Sequence, residues 1–376
     1  MKSLQNHIAE VAFSRPLLAS PEGGRIHAID LARGLAVALM ILNHGVKGLL
    51  DFDAFPDWGL VPVHLVTRFA SSLFIMVFGI ALTLAYLPHV KSSNWPQRRL
   101  KLLLTAVVIF FWYKVLTVFE MLHPYTPEQI LDTLLFRNFP SFVEILGFYA
   151  LALLWIPFFL PMWSRTPLML RLASPALLVV LSCSLLHNFQ FWGWEPLQAL
   201  LVEHENYYTW GQLSRGPLVL VGLLLGELFV RYYPSSITRR RLAGSLAIIA
   251  VVLLATFTLL SAPDLQGQLM EIAHNQGKHP PELRFMLFSM GGSFAILAAV
   301  TAGGELLASW MRPFTVIGTD ALQAFIFHIA VIFVGFRFLL GYWHNISYNH
   351  ALVLTLCLIF ATPLWIKIVH WTQARS

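Results

Sequence analysis

"RIHAIDLARGLAVALMILNHG", residues 25–45, sets Asp30 and Arg33 at the start of an apolar run and His44 well inside it. Such a run is able to open a membrane helix, which takes about 20 mostly apolar residues. Ionisable groups are costly in a bilayer, so their presence there points to function. His44 follows Arg33 by eleven positions. On a helix that spacing turns about 20° past three full turns and rises about 16 Å. The two side chains then project from one face, with Arg33 near one end and His44 past mid-membrane. Asp30, one turn before Arg33, shares this face and is placed to hold the guanidinium. Val37 and Met40 lie between them, so the face is an apolar track with polar ends.

The rest of the chain reads the same way. Of its 376 residues 57% are hydrophobic and 12% charged, about half the charge of a soluble domain. Mean hydropathy is +0.68. Apolar runs fall near 29–50, 64–88, 100–121, 141–161, 170–189, 212–233, 241–262, 283–308, 316–340 and 348–370. The fold class is therefore an all-α polytopic membrane protein, a single bundle of about ten transmembrane helices. Residues 1–24 read as a cytoplasmic N-terminal tail and 25–376 as one transmembrane domain. Cys183 and Cys357 lie in apolar runs and read as packed hydrophobes rather than a disulfide. The net charge of +6 belongs to alternate loops rather than to a nucleic-acid surface. Arg15 and Arg25, Lys91 to Lys101, Arg165 and Arg171, Arg231 to Arg241, Arg312 and Arg375 all fall on one side of the predicted topology. The opposite loops hold "DFDAFPDWG" and "WGWEPLQALLVEHENYY", with no Lys or Arg. By the positive-inside rule both termini are then cytoplasmic.

The face carrying Arg33 and His44 suits a long ligand with a charged head and a reactive far end. Acyl-coenzyme A is one. Its phosphates would meet arginines, whose forked donors fit phosphate. Its thioester would reach His44, which is able to take a proton from an acceptor hydroxyl or amine as general base. Each residue alone also suits a plainer role: Arg33 as an interfacial anchor, His44 as a hydrogen bonder between helices. Arg98 and Arg99, at the start of the third span, are further candidates for the phosphates or simple topology anchors. Arg68, Lys114 with Glu120, Glu144 beside Tyr149, and His328 deep in the ninth span are enough to line a polar cavity. Glu144 and Asp30 are the acids available to orient His44. No metal-binding, phosphate-loop or dinucleotide pattern occurs in a credible setting.

The first span resembles a known signature. Arg33, ten intervening residues and His44 match that of the acyltransferase-3 family. Residues 25–45 also resemble the opening of the bacterial relatives of heparan-α-glucosaminide N-acetyltransferase, through Ile29, Asp30, Arg33 and Gly34. "RFASSLFIMVFGIALTLAY" is similar to the superfamily's second-span segment at Phe74, Phe78, Gly79 and Tyr86. "GKHPPELRFML" and "IGTDALQAFIFHIAV" resemble later segments, the latter through Gly318, Leu322 and His328. Phe78 stands where the acyltransferase-3 branch usually has serine. The resemblance implies an acyltransferase of the bacterial inner membrane. It would move an acyl group, often acetyl, from cytoplasmic acetyl-CoA or another acyl-CoA to a hydroxyl or amine of a glycan or lipid-linked acceptor. The family residues carried over are Arg33 and His44. The rival class is a transporter or flippase, which also needs many spans with internal polar groups, but the paired, Gly/Pro-broken halves of many transporters are not visible.

Overall fold

The computed structural model describes residues 25–375. The tail at 1–24, with Arg15, lies outside them. Among the described residues, fourteen α-helices follow in order: α1 (His27–Lys47), α2 (Phe69–Ala85), α3 (Trp95–Met121), α4 (Pro127–Leu134), α5 (Glu144–Arg165), α6 (Leu168–Asn188), α7 (Glu195–Val202), α8 (Gln212–Tyr232), α9 (Ser236–Ser261), α10 (Leu265–Ala273), α11 (Leu283–Trp310), α12 (Arg312–Thr319), α13 (Ala321–Ile329) and α14 (Tyr348–Gln373). Ten helical segments among the described residues are long and apolar enough to cross a membrane. They match the ten runs in the sequence, nine of them within five residues at both ends, while the seventh extends from 241–262 to Ser236–Ala273. The all-α polytopic architecture follows directly: a lipid-embedded backbone has to satisfy its own hydrogen bonds.

Two refinements have local causes. The long connectors fold into the short helices α4, α7 and α10. In α4 the Thr126 hydroxyl accepts from Gln129 N while Gln129 Oε1 accepts from Thr126 N, a reciprocal cap that starts the helix. The ninth span is not continuous over 316–340. The Asp320 carboxylate accepts from Gln323 N and starts a new helix, so α12 ends at Thr319 and α13 begins at Ala321. Beyond Ile329 the chain widens into a π-helical stretch, Ala330–Leu339.

The chain forms two compact units. One holds Phe78–Glu227 with the last residues from Val369; the other holds Ile26–Val77 and Leu228–Ile368. Within the first, α3 packs along α5. Lys114 does not pair with Glu120. Its ammonium donates to the Leu134 carbonyl at 2.8 Å at the end of α4 and lies 3.5 Å from the centre of the Phe136 ring, while Glu120 accepts from the backbone N–H of Ser141 and Phe142. Both groups thus hold loop backbone rather than line a reactive site. Arg215 and Glu203 form an ion pair with nearest atoms 2.7 Å apart and almost no exposure.

Within the second unit, α9 packs along α11, and α1 packs against α11 and α12. The α1–α12 crossing is set by two glycines. A Cβ on Gly34 would collide with the Phe314 carbonyl, and one on Gly318 with the Asp30 carbonyl. Only glycine lets the two backbones meet this closely. Of the apolar core of α1, 78% is buried, against 6% for α6. The first span is therefore an inner helix, and its polar groups face protein, not lipid. Cys183 and Cys357 are free thiols on exposed faces of α6 and α14, a correction to their reading as packed core residues.

Candidate active site

The two ends of α1 hold different polar clusters. At the N-terminal end, Arg33 Nη1 donates to the Gly318 carbonyl at 2.9 Å. Asp30 Oδ1 is 3.9 Å from the same guanidinium, and Asp30 Oδ2 is 3.8 Å from His27. The Arg33 side chain is 12% exposed. Its guanidinium thus seals the glycine crossing to α12 while reaching the edge of the unit. Asp30 complements the positive end of the α1 dipole as well as this arginine.

The other end, about 16 Å further along the axis, is built around histidines. His44, in the last turn of α1, is 7% exposed, and His328, in the last turn of α13, is fully buried. His44 Nδ1 lies 3.2 Å from His328 Nε2, and His328 Nδ1 lies 2.7 Å from the Ala324 carbonyl. These contacts fix both tautomers in the neutral pair. A carbonyl only accepts, so His328 Nδ1 carries a proton and donates it. Its Nε2 is then a lone pair, and His44 Nδ1–H donates to it. His44 is left with its lone pair on Nε2, the atom a general base uses. The rings stack at a 30° interplanar angle, with Phe325 edge-on against His328.

Within this unit, the group hydrogen-bonded to His44 Nδ1 is a histidine, His328. Asp30 stands fourteen residues earlier on the same helix, about 21 Å away along the axis, and cannot orient the ring. Glu144 belongs to the other compact unit, buried in the first turn of α5, where it meets the positive end of that helix. Arg98 and Arg99 are also in that unit, in the first turn and a half of α3, with Arg99 5.4 Å from the centre of the Phe158 ring.

A cationic shell surrounds the His44 end of α1. Arg68 is 3% exposed. Its Nη2 donates to Asn43 Oδ1 at 3.1 Å and to the Ala273 carbonyl at 3.0 Å, and its Nη1 to Asn275 Oδ1. This guanidinium ties the residue beside His44 to the end of α10. Lys47, one turn past His44, and Arg68 both approach the Phe52 ring, at 5.2 and 5.9 Å from its centre. The sequence offered Arg68 only as lining for a polar cavity, and it offered no role for Lys278, which is buried in the loop after α10. The available signals were an arginine inside the second span and a lysine in "GKHPPELRFML". Among the described residues, no group of three or more His, Cys, Asp or Glu side chains is placed to hold a metal ion.

The family model described as "Heparan-alpha-glucosaminide N-acetyltransferase, catalytic" matches residues 25–261, well over half of the chain. Asp30, Arg33, His44, Arg68, Arg98, Arg99 and Glu144 fall within the match, and Lys278 and His328 lie beyond it. None of the curated proteins matches the chain.

Proposed function

The chain belongs to the family of the heparan-alpha-glucosaminide N-acetyltransferase catalytic domain, and on that premise we propose that it is a membrane acyltransferase. It moves an acetyl group from acetyl-CoA, or the acyl group of another acyl-CoA, to an amine or hydroxyl of a glycan or lipid-linked acceptor. The observation that carries this reading is the buried His44–His328 pair, whose hydrogen bonds leave the lone pair of His44 on Nε2.

The reaction assigns each atom a place. The acceptor nitrogen or oxygen attacks the thioester carbonyl carbon and gives its proton to His44 Nε2. The carbonyl π pair moves onto oxygen. On collapse the C–S bond breaks, the pair leaves on sulfur, and the proton on His44 passes to the thiolate to release coenzyme A. While His44 is protonated, its Nδ1–H donates to His328, which stabilises the imidazolium. His328 is a positioning residue in this scheme and His44 the catalytic base.

The donor enters from the cytoplasm at the Arg33 end of α1, with both termini on that side. Arg33 meets the donor phosphates, and Arg98 and Arg99 are the second candidates. The pantetheine arm follows the Val37 and Met40 face, which spans about 16 Å to His44. The acceptor arrives from the opposite face. Asp30 holds Arg33. A bacterial inner membrane fits this arrangement, with the acyl-CoA pool on one side and the glycan on the other.

The test is chemical. Purified protein in nanodiscs is given acetyl-CoA carrying a labelled acetyl group and a panel of amino sugars and sugar alcohols. Label transfer with stoichiometric release of free coenzyme A supports the proposal. Acceptor movement across the bilayer without thioester cleavage would instead favour a flippase.

A further inference from the structure

Helices α9 and α11 pack along each other, and their contact is filled at both ends. Towards the C-terminal end of α9, Phe257 meets Phe288 with ring centres 5.2 Å apart, and a Cβ on Gly291 would run into Leu254. Towards the other end, the Arg239 guanidinium lies 5.5 Å from the centre of the Tyr233 ring and against Gly304 of α11. Between these ends the facing positions are small, among them Ala243, Ala247 and Ala250 of α9 and Ala295, Ala299 and Ala302 of α11. Side chains of this size leave a groove of about 530 Å³ between the helices. It opens outward: a Cβ on Gly244 would meet nothing, and only 28% of the apolar core of this span is buried. Arg240 lines the groove at its Arg239 end. It is exposed and makes no hydrogen bond or ion pair with another described residue. The acid nearest in sequence to this end of α11 is Glu305, which accepts from the Tyr233 hydroxyl at 3.4 Å.

We propose that this groove binds an anionic phospholipid, with one acyl chain lying between α9 and α11 and the phosphate at Arg240. Length, width and charge all select that occupant. Arg240 and Leu254, which both line the groove, are fourteen positions apart, about 21 Å along the axis. That exceeds the roughly 15 Å of hydrocarbon in one leaflet, so an acyl chain is covered over its depth. Spread along this length, the volume is a channel about 6 Å wide. It has room for one extended hydrocarbon chain and is too narrow to seat an α-helix, about 10–12 Å across. The lining is apolar apart from Arg240. A chain therefore gains dispersion contacts along the whole groove, and a phosphate at its end meets a guanidinium whose forked donors fit it. Arg240 stands on the side read as cytoplasmic, where the leaflet carries anionic lipid.

The experiment is native mass spectrometry of the full-length protein, titrated with phosphatidylglycerol and with phosphatidylcholine of the same acyl chains. It compares wild type, Arg240→Gln, Ala247→Phe and Ala299→Leu, with thermal midpoints to identify the folded variants. Wild type is expected to retain one phosphatidylglycerol in preference to phosphatidylcholine. Arg240→Gln, a surface change, is expected to weaken phosphatidylglycerol about five-fold and to leave phosphatidylcholine unchanged. Ala247→Phe and Ala299→Leu fill the groove and are expected to weaken both lipids. Equal retention of the two lipids by wild type would reduce the groove to ordinary lipid contact and overturns the proposal. A preference for phosphatidylglycerol that survives in Arg240→Gln, or retention that survives in a folded groove-filling variant, would place the lipid elsewhere and overturns it too. Glycerol phosphate bound as tightly as the whole lipid would make Arg240 a site for free phosphates, and a dimer lost in Ala247→Phe would make the groove an interface between copies. Either result overturns the lipid site.

Discussion

Replacing His328 with leucine isolates the contact on which the chemistry turns. Leucine fills much of the space of the imidazole but cannot accept from His44 Nδ1–H, now 3.2 Å from His328 Nε2. Two effects follow. In the resting protein a buried N–H on His44 loses its acceptor, and stability falls by about 1–3 kcal/mol. In the transfer step His44 becomes an imidazolium, and the lost bond is one to a charged group, worth about 1.5–3 kcal/mol. The rate reads only the excess of the charged bond over the neutral one, about 1–1.5 kcal/mol, so at about 1.4 kcal/mol per tenfold the transfer rate falls by about 5–12-fold. His328→Gln, with a carbonyl able to accept, is expected to recover part of both losses. The assay is single-turnover acetyl transfer by purified variants, alongside coenzyme A binding and thermal unfolding. Coenzyme A affinity should hold, since Arg33 and its surroundings lie at the other end of α1. A folded His328→Leu protein that transfers at the wild-type rate would refute the view that His328 orients the base.

Other parts of the account are open to equally direct tests. Gly34→Leu should destabilise the protein by about 1–3 kcal/mol or prevent folding, because a Cβ there meets the Phe314 carbonyl; an unchanged thermal midpoint would show that the α1–α12 crossing is looser than described. Arg33→Ala should weaken coenzyme A binding by about 1.5–3 kcal/mol if its guanidinium meets phosphate, and unchanged affinity by calorimetry would leave Arg33 as a packing group on Gly318 alone. With Cys183 and Cys357 replaced by serine, a cysteine at Trp192, which is 84% exposed, should label from outside intact cells and one at Asn94 should not. The reverse pattern would invert the orientation.

Much of the fold was legible because lipid imposes a simple rule: about 20 apolar residues make one span. The ten runs in the sequence correspond to ten helical segments able to span a membrane among the described residues. What escaped was set by local chemistry within those runs. Asp320 caps α13 and divides the ninth span, a choice hydropathy does not register. The eleven-residue spacing placed Arg33 and His44 at two ends of one helix. His328 stood out as a histidine deep in an apolar run, but its pairing with His44 joins positions 284 apart and depends on how α13 packs on α1. The same holds for Arg68, whose partners Asn43, Ala273 and Asn275 come from distant stretches. Asp30 looked like a partner for His44 only while the helix was read as a face and not as a length. Lys114 showed the opposite error: an apparent pair with Glu120 became two separate supports for loop backbone.

The claim on which everything else depends is that His44 Nε2 is the base. The measurement is acyl transfer by His44→Ala and His44→Gln, with coenzyme A affinity determined separately on the same preparations. The account predicts a loss of about 10²–10⁴-fold in the transfer step with affinity retained. It also predicts that the wild-type rate falls as pH falls, because a protonated His44 has no lone pair to offer. Near-wild-type transfer in either folded variant would contradict the claim and remove His44 from the chemistry.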